Sequence, residues 1–415
     1  RYGWEPIILT KTRDKIDAQY LTIESNKVSK EFDKAAGCIV YRMAYRQKCK
    51  GLWDLRSRYT NLSSPSMVDV FVRKFLNFVI GNFFMFPDER YDWFPDAVQA
   101  GQAIMKNHDI HAILATGAPW TDFLVARKLG RAAGIPWIAD YRDPWSQPTT
   151  IGIQKQYIIR ELANRILEKK LMQTASALIQ ISELLTKDLG KTLRRNVYLI
   201  PNGYDPENFS NGYKLCPSRK KFTISFIGTL HNNTNTDIFM EGFNRFVERT
   251  NITPEKCQVF FIGELNGYRR VKETYTGFSK IKNYFKFEPS VSQEKATKRL
   301  HLSHILLSFP LDMWGCCPAK TYEYMASGRP ILVSPGGHYR DEIAKVLAET
   351  DGGVILSTPE KVAAWLSEKF SEFTITGTVT SNTDLSRVEK YSRLNQVYKL
   401  SQILNEAIQR QTPCT

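Results

Sequence analysis

Along this chain, short continuous apolar runs alternate with longer segments whose apolar residues recur every three to four positions. His111-Ala112-Ile113-Leu114-Ala115 and Trp137-Ile138-Ala139-Asp140 read as strands flanking a helix over 122–133, which Gly134-Ile135-Pro136 closes. A long helix over 155–175, a strand over 177–182, a helix over 183–189 and a strand over 197–200 continue the alternation. It resumes with a strand over 222–230 that ends in a glycine turn, a helix over 236–250 and a strand over 258–263. A strand over 283–287, a helix over 290–300 capped near Ser290 or Ser292, and a strand over 304–309 follow. Helices over 359–371 and 385–410 end the chain. Continuous apolar strands between helices predict parallel sheets covered on both faces. The polar stretch 206–220, with Gly and Pro, reads as a linker.

Two segments depart from this rhythm. Ile7-Ile8-Leu9-Thr10 is strand-like, but 11–65 is weakly patterned and reads as irregular with some helix. Residues 68–86 are rich in Phe and carry Arg73 and Lys74. They read either as a helix lying in a bilayer surface or as a mostly buried helix. A short helix over 97–107 comes next.

Composition narrows the picture. With 415 residues, 42% hydrophobic and 24% charged, the chain is of ordinary globular type and long enough for two or three domains. The net charge of +15 predicts an anionic partner: nucleic acid, a membrane surface or a phosphorylated substrate. Neither a nucleic-acid-binding module nor a dense basic run with interleaved aromatics is present, so no nucleic acid is expected. Seven cysteines without a Cys-x-x-Cys point to a reducing compartment and no structural zinc. No run approaches the length of a membrane span.

The densest chemistry lies at Pro318-Ala319-Lys320-Thr321-Tyr322-Glu323-Tyr324-Met325-Ala326-Ser327-Gly328-Arg329-Pro330-Ile331-Leu332-Val333. Pro318 opens a short helix, Gly328 and Pro330 end it, and Ile331-Leu332-Val333 is a buried strand. Lys320 and Glu323 share one face of the first turn, beside free amides that suit phosphate. They also suit a plain surface ion pair. A carboxylate beside a phosphate site can accept both hydroxyls of a ribose diol. With no Asp-x-Asp anywhere, phosphate charge would fall to Lys320, the helix start and the amides of Gly228 and Thr229. Gly263 ends the neighbouring strand in the same way. Thr116-Gly117 and Arg142-Asp143 follow the carboxyl ends of two strands, where parallel sheets gather their functional residues. Asp143 suits orienting a hydroxyl or stabilising positive charge, and equally suits capping or pairing with Arg142.

The segment 316–333, with 137–145 and 199–205, resembles the retaining glycosyltransferase family 4 (glycosyl transferases group 1), and the likeness extends over essentially the whole chain. It implies the GT-B architecture: two Rossmann-like parallel-sheet domains facing across a cleft. The first (1–205) would be the acceptor side, the second (206–384) would bind the nucleotide sugar, and 385–415 would cross back to the first. It also implies that the Ile7 strand is the second of its sheet, with the first strand and its glycine-rich loop upstream of Arg1. Glu323 would bind the donor ribose, and Gly315, Cys316 and Cys317 would lie at the transferred sugar. Many members carry a Glu where this chain has Gly315, and a cation after the turn matching Gly228 where it has Leu230-His231-Asn232-Asn233. The implied activity is transfer of a sugar from a nucleoside-diphosphate sugar to a glycan or lipid-linked acceptor, with retention. No cofactor or metal is implied, and Asp143, Arg142 and Lys320 would be the catalytic candidates. An anionic membrane, met peripherally from the cytoplasmic face, is the expected location. A nucleotide-sugar 2-epimerase, a catalytically dead relative or another binder of anionic ligands remain alternatives.

Overall fold

The computed structural model describes residues 2–11, 28–33, 37–43, 51, 55, 58, 66–79, 86–146, 158–210, 215–230, 234–264, 279–310, 315–335 and 341–410. They divide into two compact units: residues 1–181, 186–199 and 399–415, and residues 182–185 and 200–398.

In the first unit, β1 (Ile7–Lys11), β2 (Val28–Asp33) and β3 (Cys38–Met43) form a three-stranded sheet ordered β1-β3-β2. β1 runs parallel to β3, and β2 antiparallel. The strands β2 and β3 correct the irregular reading of 11–65. Cys38-Ile39-Val40-Tyr41 is apolar enough for a strand and buries Cys38, Val40, Tyr41 and Met43. Gly37, with φ at 64°, turns the chain into it, but Arg42 broke the apolar run and masked the pattern. Next come α1 (Met67–Val79), α2 (Phe94–Asn107), β4 (Ile113–Gly117), α3 (Thr121–Ala133), β5 (Trp137–Tyr141), α4 (Ile158–Met172), β6 (Ala177–Gln180), α5 (Glu183–Leu193) and β7 (Tyr198–Leu199). The strands β4-β5-β6-β7 form a parallel sheet in chain order, as the alternating pattern predicts. Among the described residues, β1 and β4 each pair along one edge alone. Ala97, Ala100 and Ile104 of α2 and Val125 and Leu129 of α3 pack with Tyr41 and Met43. This repeat every three or four residues is why both segments are helices.

The second unit holds α6 (Glu207–Ser210), β8 (Phe222–Ile227), α7 (Asp237–Thr250), β9 (Cys257–Ile262), β10 (Phe285–Glu288), α8 (Gln293–His301), β11 (Ile305–Ser308), α9 (Ala319–Ala326), β12 (Ile331–Val333), α10 (Asp341–Thr350), β13 (Gly353–Ile355), α11 (Pro359–Thr376), α12 (Leu385–Val388) and the start of α13 (Arg393–Gln409). Its six strands are parallel, in the order β10-β9-β8-β11-β12-β13. Every residue of β8, β9, β11 and β12 is buried, as strands covered on both faces must be. Much of the chain's phenylalanine is used here: Phe239, Phe243 and Phe246 of α7 pack with Phe222, Phe261 and Phe285. Truncating any one of these rings to Ala costs about 3–5 kcal/mol. The helix α8 starts at Ser292, whose Oγ accepts from the Lys295 amide, so of the two candidate caps Ser292 is the one used.

Three stretches differ from expectation. α10 and β13 were not predicted; β13 is three residues long, too short for a periodic signal. The C-terminal helix is not continuous over 385–410. Ser392 is extended (φ −67°, ψ 147°) and bridges to Tyr204, with the Arg393 amide donating to the Tyr204 carbonyl at 2.8 Å. The backbone of the Pro201-Asn202-Gly203-Tyr204 turn thus replaces one turn of helix. A Cβ on Gly203 would lie 2.1 Å from the Tyr391 carbonyl, so glycine is required for this approach. The Phe-rich segment is helical over Met67–Val79, and residues 80–85, including Phe83, lie outside the described residues, as does the side chain of Phe78. Among the described residues, no helix is long and apolar enough to cross a membrane.

Candidate active site

In the second unit the chain runs β8, β9, β10 toward one edge, then returns to the centre and runs β11, β12, β13 toward the other. The connections therefore diverge between β8 and β11, and open parallel sheets bind ligands at such a point, beyond the strands' carboxyl ends. The turn Gly228-Thr229 leaves β8 there, and the segment 315–318 leading into α9 follows β11. Tyr324 fastens the two together. Its buried hydroxyl accepts from the Ile227 amide at 2.8 Å and donates to the Ile227 carbonyl at 3.1 Å. A buried phenol needs such a partner, and burial raises its pKa. Sequence reasoning missed Tyr324; its position among apolar neighbours one residue after Glu323 was the available signal.

The first turn of α9 bears the predicted pair. Lys320 Nζ lies 2.6 Å from Glu323 Oε2, and Gln293 Nε2 donates to the same oxygen at 3.2 Å. The side chains are 34% and 18% exposed, so solvent reaches the pair. No side chain caps the helix at Pro318. The Thr321 amide donates to the Pro318 carbonyl at 2.9 Å, and the Ala319 and Lys320 amides, with no acceptor among the described residues, are left for an anion. An i,i+3 pair of this kind contributes ~0.2–0.5 kcal/mol. Hydrogen bonds to charged groups contribute about 1.5–3 kcal/mol, so a ligand that offers phosphate to Lys320 and hydroxyls to Glu323 readily separates them.

Other predicted donor residues take different roles. The Gly228 amide is already committed, donating to the Ile262 carbonyl at 2.9 Å. It is not available to phosphate, which corrects that assignment; the exposed Thr229 amide has no acceptor among the described residues. The Gly263 amide likewise donates to the Glu288 carbonyl at 3.1 Å. With φ at 138° and room for no Cβ (the Gly228 carbonyl oxygen would be 2.0 Å away), Gly263 serves the packing of two strand ends. Gly315 is buried with φ at 58°, a left-handed turn that favours glycine and brings the chain into Cys316 and Cys317. Cys317 is buried and its thiol pushed up to about 12 by loss of water, which makes it inert. His231-Asn232-Asn233 lie outside the described residues.

In the first unit the ends of β4 and β5 bring the other candidates together. Thr116 pairs in register with Asp140, and Gly117 with Tyr141. Thr116 Oγ1 donates to Asp140 Oδ2 at 3.3 Å, and the Arg142 amide donates to the Gly117 carbonyl at 2.8 Å. Arg142 Nη1 lies 3.6 Å from Asp140, so the near ion pair is with Asp140 rather than Asp143. Asp143 stands exposed at the loop's crest and accepts from the Ala118 amide. Partial loss of water raises its pKa, against the lowering pull of that amide and of Arg142. A Cβ on Gly117 would meet Phe123 at 2.6 Å, so this glycine makes room for the ring cluster beneath the loop. Trp120 and Trp145 stack there at 5.0 Å with planes 3° apart.

The loop is held from below by Glu168 of α4, which sequence reasoning also missed. Its carboxylate is buried, accepts from Tyr141 Oη at 2.9 Å and from Ser146 Oγ, and so clasps both ends of the segment that carries Arg142 and Asp143. Burial raises its pKa to about 7 despite those hydrogen bonds. The helix concealed it: α4 turns Asn164 and Glu168 inward and leaves Ile159, Leu162 and Ile166 exposed, the reverse of what its apolar stripe suggests. Among the described residues no three His, Cys, Asp or Glu gather as a metal site would need.

Residues 221–371 match the family described as Glycosyl transferases group 1. No curated protein matches the sequence. Among solved structures, the chain is similar to a sucrose-phosphate synthase from Thermosynechococcus elongatus, with TM-score 0.60 and 12% identity over 98% of this chain and 90% of that one. It is similar to an α,α-trehalose 6-phosphate synthase from Burkholderia multivorans, with TM-score 0.62 and 11% identity over 99% and 100%. It is also similar to the Anabaena protein HepE in complex with UDP-glucose, with TM-score 0.54 and 13% identity over 75% and 82%. With a glycosyl transferases group 1 domain at residues 221–371 and the GT-B fold of these enzymes, the chain is a glycosyltransferase.

Proposed function

We propose that the protein transfers a sugar from a nucleoside-diphosphate sugar to a glycan or glycolipid acceptor in cell-surface polysaccharide assembly, with retention of anomeric configuration. The observation that carries this reading is the first turn of α9. Its uncapped amides, Lys320 and Glu323 stand at the point where the parallel sheet's connections diverge. The diphosphate would lie against the helix start, Lys320 and the Thr229 amide, and the ribose hydroxyls against Glu323. HepE, a structural neighbour, is known in complex with UDP-glucose, which makes a uridine nucleotide the first donor to test. Gly315 to Cys317 would flank the transferred sugar.

Arg142 and Asp143, with Thr116 and Gly117 beside them, would serve the acceptor. In the reaction the acceptor hydroxyl oxygen bonds to the anomeric carbon as the bond from that carbon to the diphosphate oxygen breaks. The hydroxyl proton passes to the departing diphosphate. Positive charge at Lys320 and the α9 amides stabilises that leaving group without a bound metal. An acceptor carried on a lipid phosphate would bring the enzyme to the cytoplasmic face of an anionic membrane, in keeping with a net charge of +15.

The test is incubation with a panel of nucleoside-diphosphate sugars, with and without lipid-phosphate acceptors, followed by NMR of the product. A glycoside with the donor's anomeric configuration supports the reading. Conversion of the nucleotide sugar to its 2-epimer without acceptor, or inversion at the anomeric carbon, overturns it.

A further inference from the structure

The helix α1 presents an apolar face to solvent. Val68, Phe71 and Phe75 are 69%, 70% and 58% exposed, and Met67 beside them 92%. Their spacing of three and four residues places them on one stripe. Among the described residues no other helix or strand packs extensively along α1. Solvent exposure of rings in this arrangement is costly: a fully buried Phe side chain gains about 1.5–3 kcal/mol over an exposed one. A helix of this length is marginal in water without a surface to lie against.

The helix is nonetheless built to form. Ser66 and Asp69 cap it reciprocally: the Ser66 amide and hydroxyl donate to Asp69 Oδ2 at 2.9 and 2.6 Å, and the Asp69 amide donates to Ser66 Oγ at 3.2 Å. Asp69, the one acid of α1, is thereby committed to the cap. The remaining charges are Arg73 and Lys74; Lys74 is exposed and borders the apolar stripe. An apolar stripe edged by a cation, on a chain with net charge +15, is complementary to an anionic lipid surface. A second copy of this chain would bring like charge to like charge.

We infer that α1 lays its Val68–Phe71–Phe75 stripe into an anionic bilayer surface, with Lys74 at headgroup level, and so holds the enzyme against the membrane. This rests on the reading that the acceptor is met at a membrane, and it names the element that does the holding. The stripe Ile159, Leu162 and Ile166 on α4 is the competing element in the same unit.

The experiment is co-sedimentation with vesicles of phosphatidylcholine and phosphatidylglycerol, against pure phosphatidylcholine, at low and high salt. The full chain should bind the acidic vesicles, with part of the binding resistant to salt. Phe71→Ser with Phe75→Ser should lower the partition coefficient about tenfold or more and remove the salt-resistant part. Its melting temperature and UDP affinity in solution should stay unchanged, because both rings are exposed. Arg73→Glu with Lys74→Glu, which keeps the apolar stripe, should remove the salt-sensitive part instead. Undiminished binding by the double Phe variant, or loss with Ile159→Ser and Leu162→Ser alone, overturns the assignment to α1. Failure of the unaltered protein to bind acidic vesicles overturns the membrane reading itself and leaves the glycosyltransferase reading to its own product assay. Concentration-dependent dimerisation that the Phe variant abolishes assigns the stripe to a second copy and likewise overturns the proposal.

Discussion

Glu168 offers a sharp test of how the Arg142-Asp143 loop is held. Burial raises its pKa from 4.5 to about 7 in the folded chain, against the lowering effect of bonds from Ser146 and Tyr141. Below pH 4.5 the folded and unfolded chains both hold the proton, and the group costs nothing. Between pH 4.5 and about 7 the unfolded chain releases it while the folded chain keeps it, so stability falls as pH rises through that window. A shift of about 2.5 units corresponds to roughly 3 kcal/mol, fully expressed above pH 7. Glu168→Gln removes the titration. The glutamine keeps an acceptor for Tyr141 but loses one at Ser146, a constant cost of about 1–3 kcal/mol at every pH. Asp122, also raised to about 7 by burial, is present in both proteins and cancels in the comparison. Denaturant melts of wild type and variant from pH 4 to 8 should therefore show the variant gaining about 3 kcal/mol on the wild type across the window. At about 2–4 °C per kcal/mol for a unit of this size, that is a relative shift on the order of 6–12 °C. Parallel pH profiles for the two proteins would refute the assignment of a buried, mostly protonated carboxylate beneath the loop.

Three further outcomes follow from the geometry. Tyr324→Phe should destabilise the second unit by about 1–3 kcal/mol, since the Ile227 amide loses a buried acceptor, and should weaken UDP binding by loosening α9; equilibrium denaturation and calorimetry measure both. Gly263→Ala should destabilise by several kcal/mol, because both the φ of 138° and the 2.0 Å approach to Gly228 forbid a Cβ, and a melt equal to wild type would contradict that packing. Asp143→Asn should leave UDP affinity unchanged while lowering turnover with acceptor at least tenfold; an equal loss of donor binding would remove Asp143 from the acceptor side.

The elements carried by repetition were legible in the sequence. β8 and β9 are continuous apolar runs with glycine ends, and α3 and α7 carry core residues at helical spacing, so the β4–β7 sheet and all but the last strand of the six-stranded sheet could be read, whereas β2 and β3 of the three-stranded sheet were missed. The first turn of α9 was legible because proline, glycine and the Lys320–Glu323 spacing fix a short helix by themselves. Where tertiary contacts override local pattern, reading failed. β13 is too brief to show a period, and Ser392 leaves the helix because the backbone at Tyr204 offers an alternative partner. Glu168 sits on the face that α4's apolar residues would have claimed, so its burial was invisible from the chain. The Gly228 amide illustrates a different limit: a glycine turn announces itself in sequence, but whether its amide is free depends on the neighbouring strand.

The central claim is that the first turn of α9 is where the nucleotide of the donor binds. Titration calorimetry with UDP, on wild type and Glu323→Ala, tests it most directly. A carboxylate that accepts the ribose hydroxyls contributes about 1.5–3 kcal/mol, so the variant should bind roughly 10- to 150-fold more weakly while melting at an unchanged temperature without ligand. Equal affinity of the two proteins for UDP would contradict the account.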